Sequence, residues 1–145
     1  KAGFWAAVTR MPAMKKEERD SRRRAEALLE FTGLSTDTHK MAGDLPAGRQ
    51  KTAQIARALA SDPLLLLLDE PAAGLNAVET HALGKLIQKI KESGITMMLV
   101  EHDMSLVMGM SDKVVVLDQG KKLAEGTPRQ IQRNEAVMSA YLGNG

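Results

Sequence analysis

Asp69 and Glu70 are adjacent carboxylates that follow directly on five leucines, Leu64 to Leu68, and precede Pro71. An unbroken apolar run with neither a helical stripe nor alternation predicts a strand buried on both faces of a mostly parallel sheet. Side chains alternate along an extended chain, so the two acids can do different jobs. One can hold a hard cation such as magnesium through oxygen, and the other can polarise a water. That division suits phosphoryl transfer. His102 is the third candidate, placed at the end of a second apolar run, Ile95 to Val100, between Glu101 and Asp103. An imidazole there can donate to a phosphate oxygen or to a water held by Glu70.

The elements around these residues must bring them together. Asn76 with Glu79 three residues on forms a capping-box pattern, and Ala82, Leu83, Leu86, Ile87 and Ile90 make the buried face of a helix that runs to Gly94. Strand, helix and strand form a βαβ unit with a right-handed crossover, so both strands end at one sheet edge. In open α/β sheets that edge binds ligands. His102 is therefore expected near Asp69 and Glu70.

Upstream, residues 1–14 predict a short helix or loop around Trp5, ending near Pro12 and packing on a neighbour. Lys15 to Phe31 read as an amphipathic helix with a solvated charged face, stopped by Gly33. After a polar loop, Leu45-Pro46-Ala47-Gly48-Arg49-Gln50 leads into a helix striped by Thr52, Ile55, Ala56 and Leu59, which must end before Asp62-Pro63. A small-residue turn at a helix start offers backbone N–H groups to an anion. Downstream, Val114 to Leu117 and Lys122 to Glu125 form a hairpin about Asp118-Gln119-Gly120. Thr127-Pro128 with Gln130 starts a helix that Asn134 interrupts, and Ala136 to Leu142 adds a further turn or two. Met97, Met98, Met104, Met108 and Met110 read as gap fillers in a core.

Composition narrows the function classes. The 145 residues suit one compact unit or a little more, and a formal net charge of +2 is split between 12 basic against 7 acidic residues over 1–60 and 8 against 11 over 61–145. The basic excess has no aromatic interleaving, so no nucleic acid partner is expected. With no cysteine there is neither a disulfide framework nor a thiolate metal site, which fits a reducing compartment. No apolar run approaches the ~20 residues that span a bilayer, and no signal peptide is visible. The chain opens on Lys1 and reads as a piece of something longer.

Four segments in order resemble the ATP-binding-cassette (ABC) ATPases. Leu64 to Glu70 is similar to their Walker B strand, Pro71 to Asn76 to the D-loop, His102 to the switch histidine, and Leu45 to Gln50 with Ile55-Ala56-Arg57-Ala58-Leu59 to the family signature. The stretches Asp69 to Asn76, Glu101 to Met104 and Leu106 to Met108 are similar to ATP-binding subunits of branched-chain amino acid importers. The resemblance implies an α/β fold: part of a P-loop NTPase (RecA-like) core with a mostly parallel sheet at 62–145, preceded by an α-helical subdomain at 1–61. It implies ATP and Mg2+ as cofactors, with Asp69 holding magnesium through water, Glu70 activating the attacking water and His102 sensing the γ-phosphate. Leu45, Pro46, Ala47, Gly48, Arg49 and Asn76 would meet nucleotide bound on a second ATPase subunit in a head-to-tail dimer. The helical stretch would contact the transmembrane permease, at the cytoplasmic face of the plasma membrane.

The departures shape the expectation. No G-x-x-x-x-G-K-[ST] occurs, since Gly84-Lys85 and Gly120-Lys121 are followed by Leu86 and Lys122. In the signature, Ala47 and Arg49 replace the usual residues, and Pro46 has no hydroxyl. The chain thus resembles the C-terminal portion of such a subunit, with negligible hydrolysis on its own. The family's fold implies a bare edge on Ile95 to Val100, expected to be covered by re-pairing with Val114 to Leu117 or by another chain. The alternatives are a cassette ATPase of DNA repair or translation, or a non-catalytic regulatory module on a degenerate cassette.

Overall fold

A computed structural model of the chain describes the backbone of residues 2–142 and the side chains of residues 14–141. Two compact units divide at Leu66/Leu67, inside the first strand. Among the described residues no helix is long and apolar enough to cross a membrane.

In the first unit, α1 (Ala2–Phe31) runs on past Pro12, where a break is expected. A proline's fixed φ is helical, and its missing N–H costs one rung of the ladder without ending the helix. The packing expected of Trp5 lies outside the described residues. At the other end the stop at Gly33 is as read: its φ is 77°, Leu34 N–H donates to Leu29 O at 2.6 Å and Gly33 N–H to Glu30 O at 3.1 Å. These two bonds are a Schellman closure. Two short 3-10 turns, Ser35–Asp37 and Ala42–Asp44, lead to α2 (Ala47–Leu59), which buries Ile55, Ala56 and Leu59. Leu34 and Leu45 complete this small core.

β1 (Leu65–Asp69) corrects the expectation of a strand buried on both faces. Leu66 is 5% exposed, whereas Leu65 and Leu67 are 52% and 65% exposed. Side chains alternate along a strand, so cover on one side only hides every second leucine. β1 pairs with β2 (Thr96–Val100), and Glu70 N–H donates to Val100 O at 2.9 Å, so the two strands end together as a parallel pair must. The crossover is α3 (Ala77–Glu92), capped by the box of Asn76 with Glu79 and closed near Gly94 at φ 89°. Its buried face is Leu83, Gly84, Leu86, Ile87 and Ile90; Ala82, expected inside, is exposed and Gly84 takes the contact with α4 (Met104–Met110). Met98 is likewise exposed and fills no core.

β3 (Val114–Asp118) and β4 (Lys121–Gly126) form a separate antiparallel hairpin. Gln119 and Gly120 both have positive φ, 44° and 77°, as a two-residue turn of the primed type requires. β3 does not re-pair with β2. A two-residue connection makes the local pairing far easier to close than a distant one. α5 (Pro128–Gln132) and α6 (Glu135–Leu142) set Ile131 and Val137 against Val114 and Val116.

Candidate functional site

β1 and β2 deliver Asp69, Glu70, Glu101 and His102 to one edge because they are parallel and end in register. Asp69 is the last residue of β1 and is exposed. Glu70 then sits at φ 42°, in the left-handed region that costs a non-glycine residue about 1–2 kcal/mol. That twist turns the chain sharply: Ala73 N–H donates to Glu70 O at 3.1 Å, Leu75 N–H to Ala72 O at 3.1 Å, and Gly74 adopts φ 77°. Pro71 is buried beneath the turn.

His102 meets the acids through one ring nitrogen. Its Nδ1 lies 3.5 Å from Glu70 Oε1 and 3.9 Å from Glu101 Oε2. Nδ1 thus faces both carboxylates, which leaves Nε2 directed elsewhere. The imidazole is 74% exposed, so it can reach a ligand. The next residue, Asp103, accepts from Ser105 Oγ at 2.6 Å, Ser105 N–H at 2.9 Å and Leu106 N–H at 3.2 Å, and so fixes the start of α4. The Ser105 hydroxyl foremost, with the Leu106 N–H, holds the Asp103 carboxyl below its ordinary range.

The donor set bears on magnesium. Among the described residues no group of three or more His, Cys, Asp or Glu side chains forms a metal cage. Magnesium needs no such cage: it keeps several waters and takes one or two carboxylates with phosphate oxygens. An exposed carboxylate at a strand end fits that use.

The remaining predicted residues have local partners. Asn76 accepts from Val78 N–H and Glu79 N–H, both at 3.0 Å, as the cap of α3. In the first unit, Leu45 is buried, Pro46 supplies no side-chain cap to α2, and Ala47, Gly48 and Arg49 form its first turn. The Arg49 guanidinium folds back onto Asp37, and also donates to Gly33 O at 3.0 Å and Thr36 Oγ1 at 3.4 Å. Lys40 Nζ meets the other Asp37 oxygen at 2.8 Å. Sequence reasoning missed this pairing, along with the roles of Glu101 and Asp103. Only Asp103 had a visible signal, an aspartate placed directly before an apolar segment as a helix cap.

A family model described as "ABC transporter" matches residues 5–73, and one described as "Branched-chain amino acid ATP-binding cassette transporter" matches residues 121–145. The chain is similar to the high-affinity branched-chain amino acid transport ATP-binding protein BraF of Pseudomonas aeruginosa, 45% identical over 141 residues, covering 97% of this chain and 55% of that protein. It is 42% identical over 144 residues to LivG of Escherichia coli, covering 99% of this chain and 56% of that one. The chain thus spans about half the length of the curated relatives it matches. Among solved structures, the ADP conformation of MJ1267, an ATP-binding cassette of an ABC transporter, is 29% identical with a TM-score of 0.78, over 86% of this chain and 51% of that one. CbiO1 from Clostridium perfringens, part of the transporter complex cbiONQ, is 30% identical with a TM-score of 0.75, over 88% and 51%.

Proposed function

The chain belongs to the ABC transporter family of ATPases, and from that premise we propose that it is the C-terminal portion of the ATP-binding subunit of a branched-chain amino acid importer. The observation that carries the reading is the parallel pair β1–β2, which sets Glu70 Oε1 3.5 Å from His102 Nδ1 at the edge where Asp69 ends its strand. In an intact subunit Asp69 would hold magnesium, Glu70 would orient and activate the attacking water, and His102 would contact the γ-phosphate. Magnesium would neutralise charge on the phosphates of ATP, the substrate that carries the scissile phosphoryl group. In hydrolysis the chain's work is positioning and electrostatic stabilisation, since phosphoryl transfer asks little covalent chemistry of a protein.

Residues 1–61 act as the helical subdomain and 62–145 as the C-terminal part of the ATPase core. In the first unit Ala47, Gly48 and Arg49 present the first N–H groups of α2 to nucleotide on a second subunit, with Leu45 and Pro46 leading into that turn, and Arg49 contributes through its backbone because its guanidinium is committed to Asp37. The helical subdomain contacts the permease, placing the subunit peripherally at the cytoplasmic face of the plasma membrane. The match at 121–145 supports the amino acid importer branch over cassette ATPases of DNA repair or translation.

This chain contains no phosphate-cradling G-x-x-x-x-G-K-[ST], so it should neither bind magnesium-ATP tightly nor hydrolyse it. Calorimetry of the 145-residue chain should show no micromolar binding; a micromolar isotherm overturns this part. In a full-length subunit carrying this segment, E70Q should lower ATP turnover by about 10²–10⁴-fold while ATP binding persists. Unchanged turnover removes Glu70 from its role.

A further inference from the structure

We infer that Glu101 is a positioning residue that ties the turn after the acidic pair to the backbone of His102. Its side chain is 1% exposed, although it stands beside two exposed residues, Val100 and His102. A buried carboxylate is costly unless its oxygens are satisfied. Here each oxygen has a separate task. Oε1 accepts from Ala72 N–H at 2.8 Å, across 29 residues of sequence. Oε2 accepts from His102 N–H at 3.3 Å and lies 3.9 Å from His102 Nδ1.

The consequence is mechanical. Ala72 lies two residues beyond Glu70, inside the turn that Glu70 opens at positive φ. One buried carboxylate therefore fixes both the turn that aims Glu70 and the segment that aims His102, so that their 3.5 Å approach is set from below. Glu101 touches no reacting atom; it acts through the other two. The inference deepens the proposed ATPase role and rests on it only for what the geometry is used for.

The test is amide hydrogen exchange by NMR on the 15N-labelled, nucleotide-free 145-residue chain. E101A should speed exchange of the Ala72 and His102 amides on the order of tenfold, leaving the fully buried Ile90 amide unchanged. E101Q keeps one carbonyl oxygen but puts an NH2 where Oε2 was. It should preserve Ala72 protection, expose the His102 amide and shift the His102 ring 15N signals. No change in E101A, an equal acceleration at Ile90, or loss of Ala72 protection in E101Q overturns the inference. Should E101A fail to fold, E101Q decides alone: the split between Ala72 and His102 supports it, and a uniform effect or none overturns it. Because no nucleotide is present, these outcomes and those of the hydrolysis experiment fail independently.

Discussion

Glu70 carries a backbone cost at the position proposed to activate water, so stability and the proposed function can be separated at a single position. At φ 42° glycine is unstrained, and the Glu70–His102 contact is too exposed to repay the strain. E70G should therefore raise the stability of the chain by about 1 kcal/mol, read as a higher urea midpoint, while removing the carboxylate. A lower midpoint would show that Glu70 is held by interactions worth more than its strain. Two other carboxylates set the response to acid. Lys113 and then Lys122, the latter at 2.9 Å, hold Glu125 down from 4.5 to about 2, and Lys40 first, then Arg49, hold Asp37 below its ordinary range. A depressed carboxyl contributes stability above its unfolded value and loses it as protons return. Urea midpoints of the parent should accordingly fall as pH drops from 4.5 towards 2, and E125Q should flatten part of that fall; an identical slope in E125Q rejects the Lys113–Glu125–Lys122 cluster as its source. Glu70 and His102 could be read from sequence because strand ends and apolar runs fix where they emerge. Asp37 and Glu101 could not, because their partners Arg49 and Ala72 lie 12 and 29 residues away, and distance along the chain hides a hydrogen bond.

Caps and turns were the elements most open to sequence reading, since their chemistry is local. The boxes at Asn76/Glu79 and Thr127/Gln130, the glycine stops at Gly33 and Gly94, and the hairpin about Gln119-Gly120 all stand where their residue types put them. What failed was tertiary: how many faces of β1 are covered, whether β3 reaches across to the edge of β2 as well, and a seven-residue helix, α4, whose apolar sequence has no stripe of its own. The hairpin turn offers a quantitative check. Gln119 sits at φ 44° in a turn that favours Asn or Gly, so Q119G should stabilise the second unit by about 1 kcal/mol without altering the β3–β4 register. Cross-strand NOEs between Val115 and Glu125 check the register, and thermal melts check the gain. Replacing Asn76 by Ala removes two accepted N–H bonds from the start of α3 and should cost about 1 kcal/mol, whatever its part in nucleotide contact.

At the scale of the whole chain, the sheet β1–β2 has only two strands among the described residues, so the outer edge of β2 has no strand beside it. Leu67, Met98 and Val100 are all at least half exposed, and all lie on the same side of that pair because Asp69 stands across from Val100 and side chains alternate from there. An apolar strand with an open ladder of N–H and C=O groups is a template for another strand. With β3 already engaged by β4, the relief available to the isolated chain is a second copy, edge to edge. The chain should therefore associate with rising concentration in sedimentation velocity. The double substitution M98K/V100K should return it to monomer by placing like charges along the pairing strand, while the far core around Ile131 and Val137 keeps its melting behaviour. A parent chain that stays monomeric at high concentration would mean that the β2 edge is protected from within. A double variant that associates as strongly as the parent would move the contact to another surface, the exposed Val115 and Leu117 of β3 being the first to test.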